Sequence, residues 1–368
     1  MRDHLPALDG LRGVAILMVL LSHTIDGLPH ALMLYGGTGA GPSFDLPGWL
    51  FTIGVAGAHG VPLFFVVSAF TLTRQLSGLP PDRPLAWWLR RIARVGPGYW
   101  LAAAGYAALV GLGPRMGLER FGMVDMLTGV IFMAQGAGPS AMNLVPGGWS
   151  VQCEVAYYAL LPPLLIAVQA RLWRAAALTL GATMLAQWSA RHAIADGTWT
   201  YNAYATPLYH LPDFLAGVTA ALALRPLAAI PGWMARAGAA VLVAAAVGAV
   251  PFSPIGDGVL LRSSQFAMLA AGATGLAAVS APAVLTIPPL RNLGLWSYSL
   301  YLLHFALLWP IFMAVRRVLP GDGWPVWLLY FGLLVVAASA VATLAHRVVE
   351  QPPRRWMAAQ LLRASSAG

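Results

Sequence analysis

Residues 325–346 read PVWLLYFGLLVVAASAVATLAH, an apolar run without one carboxylate or arginine. A helix needs about 20 such residues to cross the hydrocarbon of a bilayer, so this stretch is read as a membrane span. Comparable runs lie near 13–30, 58–76, 96–113, 149–168, 174–190, 206–224, 236–251, 264–281 and 293–313. The prediction is an all-α polytopic membrane protein of about ten transmembrane helices in one bundle. Several runs contain proline or glycine, which neighbouring membrane helices accommodate. Composition excludes the other classes. Of 368 residues, 59% are hydrophobic and 10% charged, whereas a soluble domain is about a quarter charged. A water-soluble globule of this size would lack the polar surface to cover itself. Disordered chains are charge-rich and poor in aromatics, so disorder is excluded as well.

The arginines set the sidedness. All 22 basic residues are arginine, and they fall between the apolar runs, so the net charge of +9 reads as topology and not as a nucleic-acid surface. An eleventh stretch, MVDMLTGVIFMAQ at 123–135, is too short for an ordinary span. If it does not cross and Arg2 is cytoplasmic, only Arg115, Arg120, Arg191, Arg262, Arg316 and Arg317 face outward. The other sixteen of the 22 are then cytoplasmic. If 123–135 does cross, the split becomes even. The positive-inside rule therefore predicts ten spans, both termini cytoplasmic, with 123–135 re-entrant or interfacial and 136–148 outside. Arg12 precedes the first run but no small-residue cleavage site follows it, so a cleavable leader is not expected. Internal repeats and low-complexity tracts are not evident. One membrane-embedded domain over 1–368 is expected, with no appended soluble domain. Cys153 is the single cysteine, which excludes a disulfide framework and a cysteine-based zinc site. No metal is expected. The absence of lysine excludes a lysine Schiff base, a lysine general base and a Walker-type phosphate lysine.

Few residues remain to carry chemistry. Arg12 and His23 are eleven residues apart on the first span. That spacing is about 1100° of helical rotation, three turns plus about 20°, and about 16 Å of rise. They share one face without touching, one near the cytoplasmic mouth and the other near mid-membrane. An ionisable residue inside a span faces a cavity or a partner by default. Asp26 follows His23 by three residues and is placed to fix its tautomer. The structural alternative has Arg12 snorkelling and His23 making a polar helix contact. Arg90, Arg91 and Arg94 follow Trp87 and Trp88. Arg91 and Arg94 are one turn apart and suit a shared anionic group, since guanidinium presents a planar fork of donors. Positive-inside topology with an aromatic belt gives the same pattern. Glu154 sits just inside the fourth span, in GGWSVQCEVAYY, where a carboxylate needs a partner or water. His304 lies in LWSYSLYLLHF with Tyr298 and Tyr301 on nearby faces, and Tyr301, three residues back, is its neighbour. Glu350, in HRVVEQPPRRW, stands where Pro352 and Pro353 stop the last helix, placed to pair with an arginine.

These segments together resemble the acyltransferase-3 family of integral membrane acyltransferases. LPALDGLRGVAILMVLLSH is similar to its opening signature, with the Arg–ten residues–His motif at Arg12 and His23. VPLFFVVSAFTLTRQL resembles its second-span signature, Phe-Phe-x-x-Ser-Gly-Phe, with Ala69 in place of the glycine. LRRIARVGPGYW resembles its Arg-x-x-Arg segment at Arg91 and Arg94, and WSVQCEVAYY its Trp-Ser-x-x-x-Glu block at Glu154. WSYSLYLLHF and VVEQPPRRW resemble its last two blocks. The likeness runs from about residue 5 to residue 355 in the family's order.

The resemblance implies a ten-helix acyltransferase of the cell (inner) membrane. It would take an acyl group, most often acetyl, from cytoplasmic acyl-CoA (a donor substrate, not a permanently bound cofactor). The implied acceptor is a hydroxyl on a carbohydrate: a surface glycan, a glycolipid or an antibiotic sugar. Arg91, Arg94 and Arg12 would hold the CoA phosphates. A neutral His23 would take the hydroxyl proton as the oxygen attacks the thioester; a covalent acyl-histidine is a second route. Tyr301, Ser68 or a backbone N–H would steady the developing oxyanion. Two rival classes share the hydropathy. A secondary transporter also places ionisable residues at mid-membrane, but more often shows repeat symmetry. A polytopic glycan polymerase or ligase usually carries large outer loops, and the longest here is about 28–57.

Overall fold

A computed structural model gives the fold, and describes residues 4–25, 43–77, 84–110, 145–196, 205–249, 257–353, 355–357 and 360. The stretch 123–135 and residues 136–144 of the loop 136–148 lie outside the described residues.

Among the described residues, each apolar run contains helix. The first corresponds to α1 (Pro6–Ile25). α2 (Gly48–Ala56) precedes the second, which falls on the end of a 3-10 turn (Gly57–His59) and on α3 (Gly60–Leu76), the three in direct succession. The third lies in α4 (Pro84–Val110) and the fourth is α5 (Trp149–Val168). Next come α6 (Leu172–Ala195), α7 (Leu211–Leu222), α8 (Gly232–Ala249) and α9 (Asp257–Ser280). Single helical turns at Leu224–Leu227 and Ala283–Thr286 follow α7 and α9. The ninth run divides into α10 (Pro288–Leu303) and α11 (Phe305–Val318). The tenth is α12 (Trp324–Ala345), which continues into a π-helical turn at His346–Glu350. Among the described residues there is no strand, only an isolated bridge between Asp45 and Gly323.

Four of these stretches are long and apolar enough to cross a bilayer alone: Pro6–Ile25, Gly48–Leu76, Trp149–Val168 and Trp324–Met357. A fifth arises if α10 and α11, which meet at 84°, count as one span. Leu211–Leu222, Gly232–Ala246 and Gln265–Ser280 are shorter apolar stretches. The protein is a helical, multi-pass membrane protein. Its prolines sit where membrane helices tolerate them: Pro97 within α4, Pro162 and Pro163 within α5, Pro310 within α11.

The chain divides into two compact units. One comprises Met1–Val19, Ala56–Pro80 and Ala156–Leu295. Here α7 packs on α3, α6 and α9, and α8 lies along α9. Its core mixes Leu63, Val66 and Phe70 with small residues such as Ala216, Ala220, Ala267 and Ala271. Small residues let membrane helices approach closely, because association there relies on packing and not on water exclusion. Gly217 shows the limit: a methyl group there would run into the Val66 carbonyl oxygen. Buried in this unit, His210 Nδ1 is hydrogen-bonded to Asp213 Oδ2 at 2.8 Å, beside the ring of Phe65.

The other unit comprises Leu20–Val55, Pro81–Val155 and Trp296–Gly368. There α11 packs on α12, and the π-turn packs on α4. The Tyr298 hydroxyl donates to the Val95 carbonyl at 2.5 Å, joining α10 to α4. The Trp327 indole N–H donates to Thr24 Oγ1 at 3.2 Å, joining α12 to the end of α1.

Candidate active site

The bend between α10 and α11 builds the site. Nothing in YLLHFALL demands a break, since the nearest proline on its C-terminal side is Pro310. The cause is a wedge from α4. The Tyr106 hydroxyl donates to the Leu302 carbonyl at 3.0 Å and accepts from the Ala306 N–H at 3.2 Å. A continuous helix would join those two groups directly. A side chain inserted into the i→i−4 ladder is a known cause of a kink. The run 293–313 is therefore not the single straight span its hydropathy predicts.

At the corner stands His304, fully buried. Its Nδ1 lies 2.7 Å from the Tyr301 carbonyl oxygen, and its Nε2 lies 2.8 Å from Nδ1 of His23. The two ring centroids are 5.0 Å apart and the planes 11° from parallel. With the nitrogens that close, the imidazoles lie end to end, the alignment that a nitrogen–nitrogen hydrogen bond requires. The Phe305 ring stands 4.6 Å from both, tilted 46° to His23 and 43° to His304. The pair thus has an apolar wall. His23 itself is half-buried near the end of α1.

The other predicted residues divide between the two units. Tyr301 is next to His304, with ring centroids 5.9 Å apart. Its hydroxyl donates to the Gly147 carbonyl at 3.0 Å, so its hydrogen is directed at the turn that enters α5. Gly147 has φ +78°, a backbone conformation that glycine adopts without a Cβ penalty. Glu154 lies half-buried in the second turn of α5. Arg91 and Arg94 are half-buried one turn apart on α4, and the Arg91 guanidinium sits 5.9 Å over the Trp87 ring. In the first unit Arg12 is held by its own surroundings: Nη1 lies 3.8 Å from Asp9 Oδ1, and Nη2 donates to Thr71 Oγ1 at 3.3 Å. Asp9 also meets His4 Nε2 at 2.7 Å. Ser68 is half-buried on α3. Asp26, expected to orient His23, lies outside the described residues.

Glu350 differs from expectation. It is buried, and its partners are Ser299, which donates to Oε1, and His346, whose Nδ1 is 3.0 Å from Oε2. The arginine expected beside it is not among these. His346 and Glu350, four residues apart, share one side of the π-turn, where Ser299 of α10 meets them. Such turns are frequent at functional sites.

Removing the wedge should be measurable. Tyr106→Phe keeps the ring but leaves the Leu302 carbonyl and the Ala306 N–H in the kink without the hydroxyl. A buried polar group left unpaired costs about 1–3 kcal/mol. The variant should unfold earlier in detergent by about that amount. It should also lose more activity than its folded fraction explains, because His304 rides on the bend. Unchanged stability and activity would show that the kink does not depend on Tyr106.

A multi-pass helical membrane protein with an imidazole pair, one ring of it buried, at a helix break is thus defined. A family model described as an acyltransferase domain, that of the acyltransferase-3 family, matches residues 5–346. The chain belongs to this family of membrane acyltransferases. No curated protein and no solved structure matches it.

Proposed function

We propose that this is a ten-span O-acyltransferase of the cell (inner) membrane, with both termini cytoplasmic. It moves an acyl group, acetyl, from cytoplasmic acyl-CoA to a hydroxyl of a carbohydrate-containing acceptor. The observation that carries this reading is His23 joined end to end with buried His304, in a chain of an acyltransferase family. Acyl transfer to an alcohol needs a base, and a positioned imidazole is the commonest. Arg91 and Arg94 offer two guanidinium forks for the phosphates of CoA. His23 takes the proton from the acceptor hydroxyl as its oxygen bonds to the thioester carbonyl carbon. The carbon–sulfur bond then breaks, and the proton passes to the departing thiolate. The products are the ester and free CoA. Donors for the oxyanion come from backbone N–H groups, and Glu154 serves as a polar group on α5.

The test uses the full-length protein in nanodiscs with labelled acetyl-CoA. It should retain the label, and in the presence of a glycan acceptor it should release free thiol while the label moves to the sugar. A transporter or a polyprenyl-phosphate-dependent glycan ligase would retain no acetyl-CoA and release no thiol, and either failure would overturn the assignment.

A further inference from the structure

We propose that His304 is a positioning residue that fixes the tautomer of His23, so that Nε2 of His23 is the atom that receives the proton. This rests on the reading of His23 as the base and adds which nitrogen acts and what holds it. A carbonyl oxygen only accepts, so the 2.7 Å contact between His304 Nδ1 and the Tyr301 oxygen puts the hydrogen on Nδ1. A neutral imidazole carries one N–H. His304 Nε2 is then a bare acceptor, and His23 Nδ1, at 2.8 Å, must donate to it. That in turn leaves the lone pair of His23 on Nε2.

The kink makes this chain of assignments possible. In a straight helix the Tyr301 carbonyl would serve the N–H of Phe305, four residues on. At the break it is met by the ring of His304 instead. Tyr106 takes the next carbonyl, Leu302, and steadies the corner. His304 is 0% exposed, and turning its ring would break both contacts together. As His23 takes a proton, the charge spreads to Nδ1–H, which already points at a fixed acceptor. The arrangement parallels the buried group that orients the histidine of a serine-protease triad, where the wrong tautomer costs about 10⁴ in kcat. Here the orienting group is neutral, so the expected loss is smaller.

A crossed set of glutamine variants tests this. The amide oxygen of glutamine reaches about where Nε2 of histidine lies, so it can accept a hydrogen bond but cannot act as a base. His304→Gln should keep kcat within about tenfold of the native enzyme. His304→Ala, which accepts nothing, should lose roughly 10²-fold in kcat while the KM for acyl-CoA stays within about twofold. Equal damage from Gln and Ala in folded protein, or none from Ala, would overturn the positioning role. Failure of the base reading looks different: there His23→Gln would be active. If the His304 variants do not fold, ring-¹⁵N solid-state spectra of the native protein decide the matter. The His23 signals, assigned by their loss in His23→Gln, should show a protonated Nδ1 and a bare Nε2; the reverse would overturn the proposal.

Discussion

His23→Gln is expected to lower kcat by about 10²–10⁴-fold, the range that a positioned general base contributes. Glutamine preserves hydrogen bonding and approximate volume but cannot take a proton at neutral pH. The loss should therefore fall on turnover, with the protein inserted and acyl-CoA still bound. The sign of the pH effect follows from the same role. Protonating the imidazole removes its lone pair, so the native rate should fall on acidification. That acid limb should be absent from whatever rate His23→Gln retains. If His23 were only a helix contact to His304, two outcomes would reverse. Glutamine would be active, and alanine would lose stability instead of turnover. A folded His23→Gln enzyme with near-native kcat would end the base assignment. It would also reduce the Arg12–His23 spacing to a feature of helix packing.

The apolar pattern made most of the fold legible, and the polar contacts least so. Trp149–Val168 has the bounds that its run of residues suggested, because a span is dictated by local composition and nothing distant has to be known. His304 is different. Its partner His23 is 281 residues away in sequence. Helical spacing could suggest only a local orienting group, and Asp26 was the one in reach. The 84° bend was hidden for a like reason. It depends on a hydroxyl from α4 and not on a proline or glycine at the corner. Glu350 repeats the lesson. Nearby arginines made it look like half of an ion pair. His346, four residues back and therefore on the same helix face, was within reach of the sequence, but Ser299 arrives from another helix. The shorter apolar part of α7 also follows from particular residues. The predicted run begins at 206, yet the helix starts at Leu211, after His210, with Pro212 and Asp213 in its first turn.

The arginines of α4 should show the second large effect. Arg91→Ala and Arg94→Ala are each expected to raise the KM for acyl-CoA by about 10- to 150-fold, the equivalent of one lost charge-assisted hydrogen bond worth roughly 1.5–3 kcal/mol. The KM for the acceptor should change far less, since an uncharged sugar hydroxyl has no need of a guanidinium. Lysine at either position should restore only part of the affinity: it returns the charge but not the planar fork. At Arg91 lysine also exchanges a delocalised cation over the Trp87 ring for a compact, strongly hydrated one. The competing reading makes both residues topology signals at the membrane edge. Topology depends on charge alone, so under that reading lysine restores full function and alanine alters insertion, not the affinity for the donor. Alanine variants that insert correctly and bind acyl-CoA with native affinity would decide for topology. A lysine variant that inserts normally but still needs several-fold more acyl-CoA would decide for the donor site.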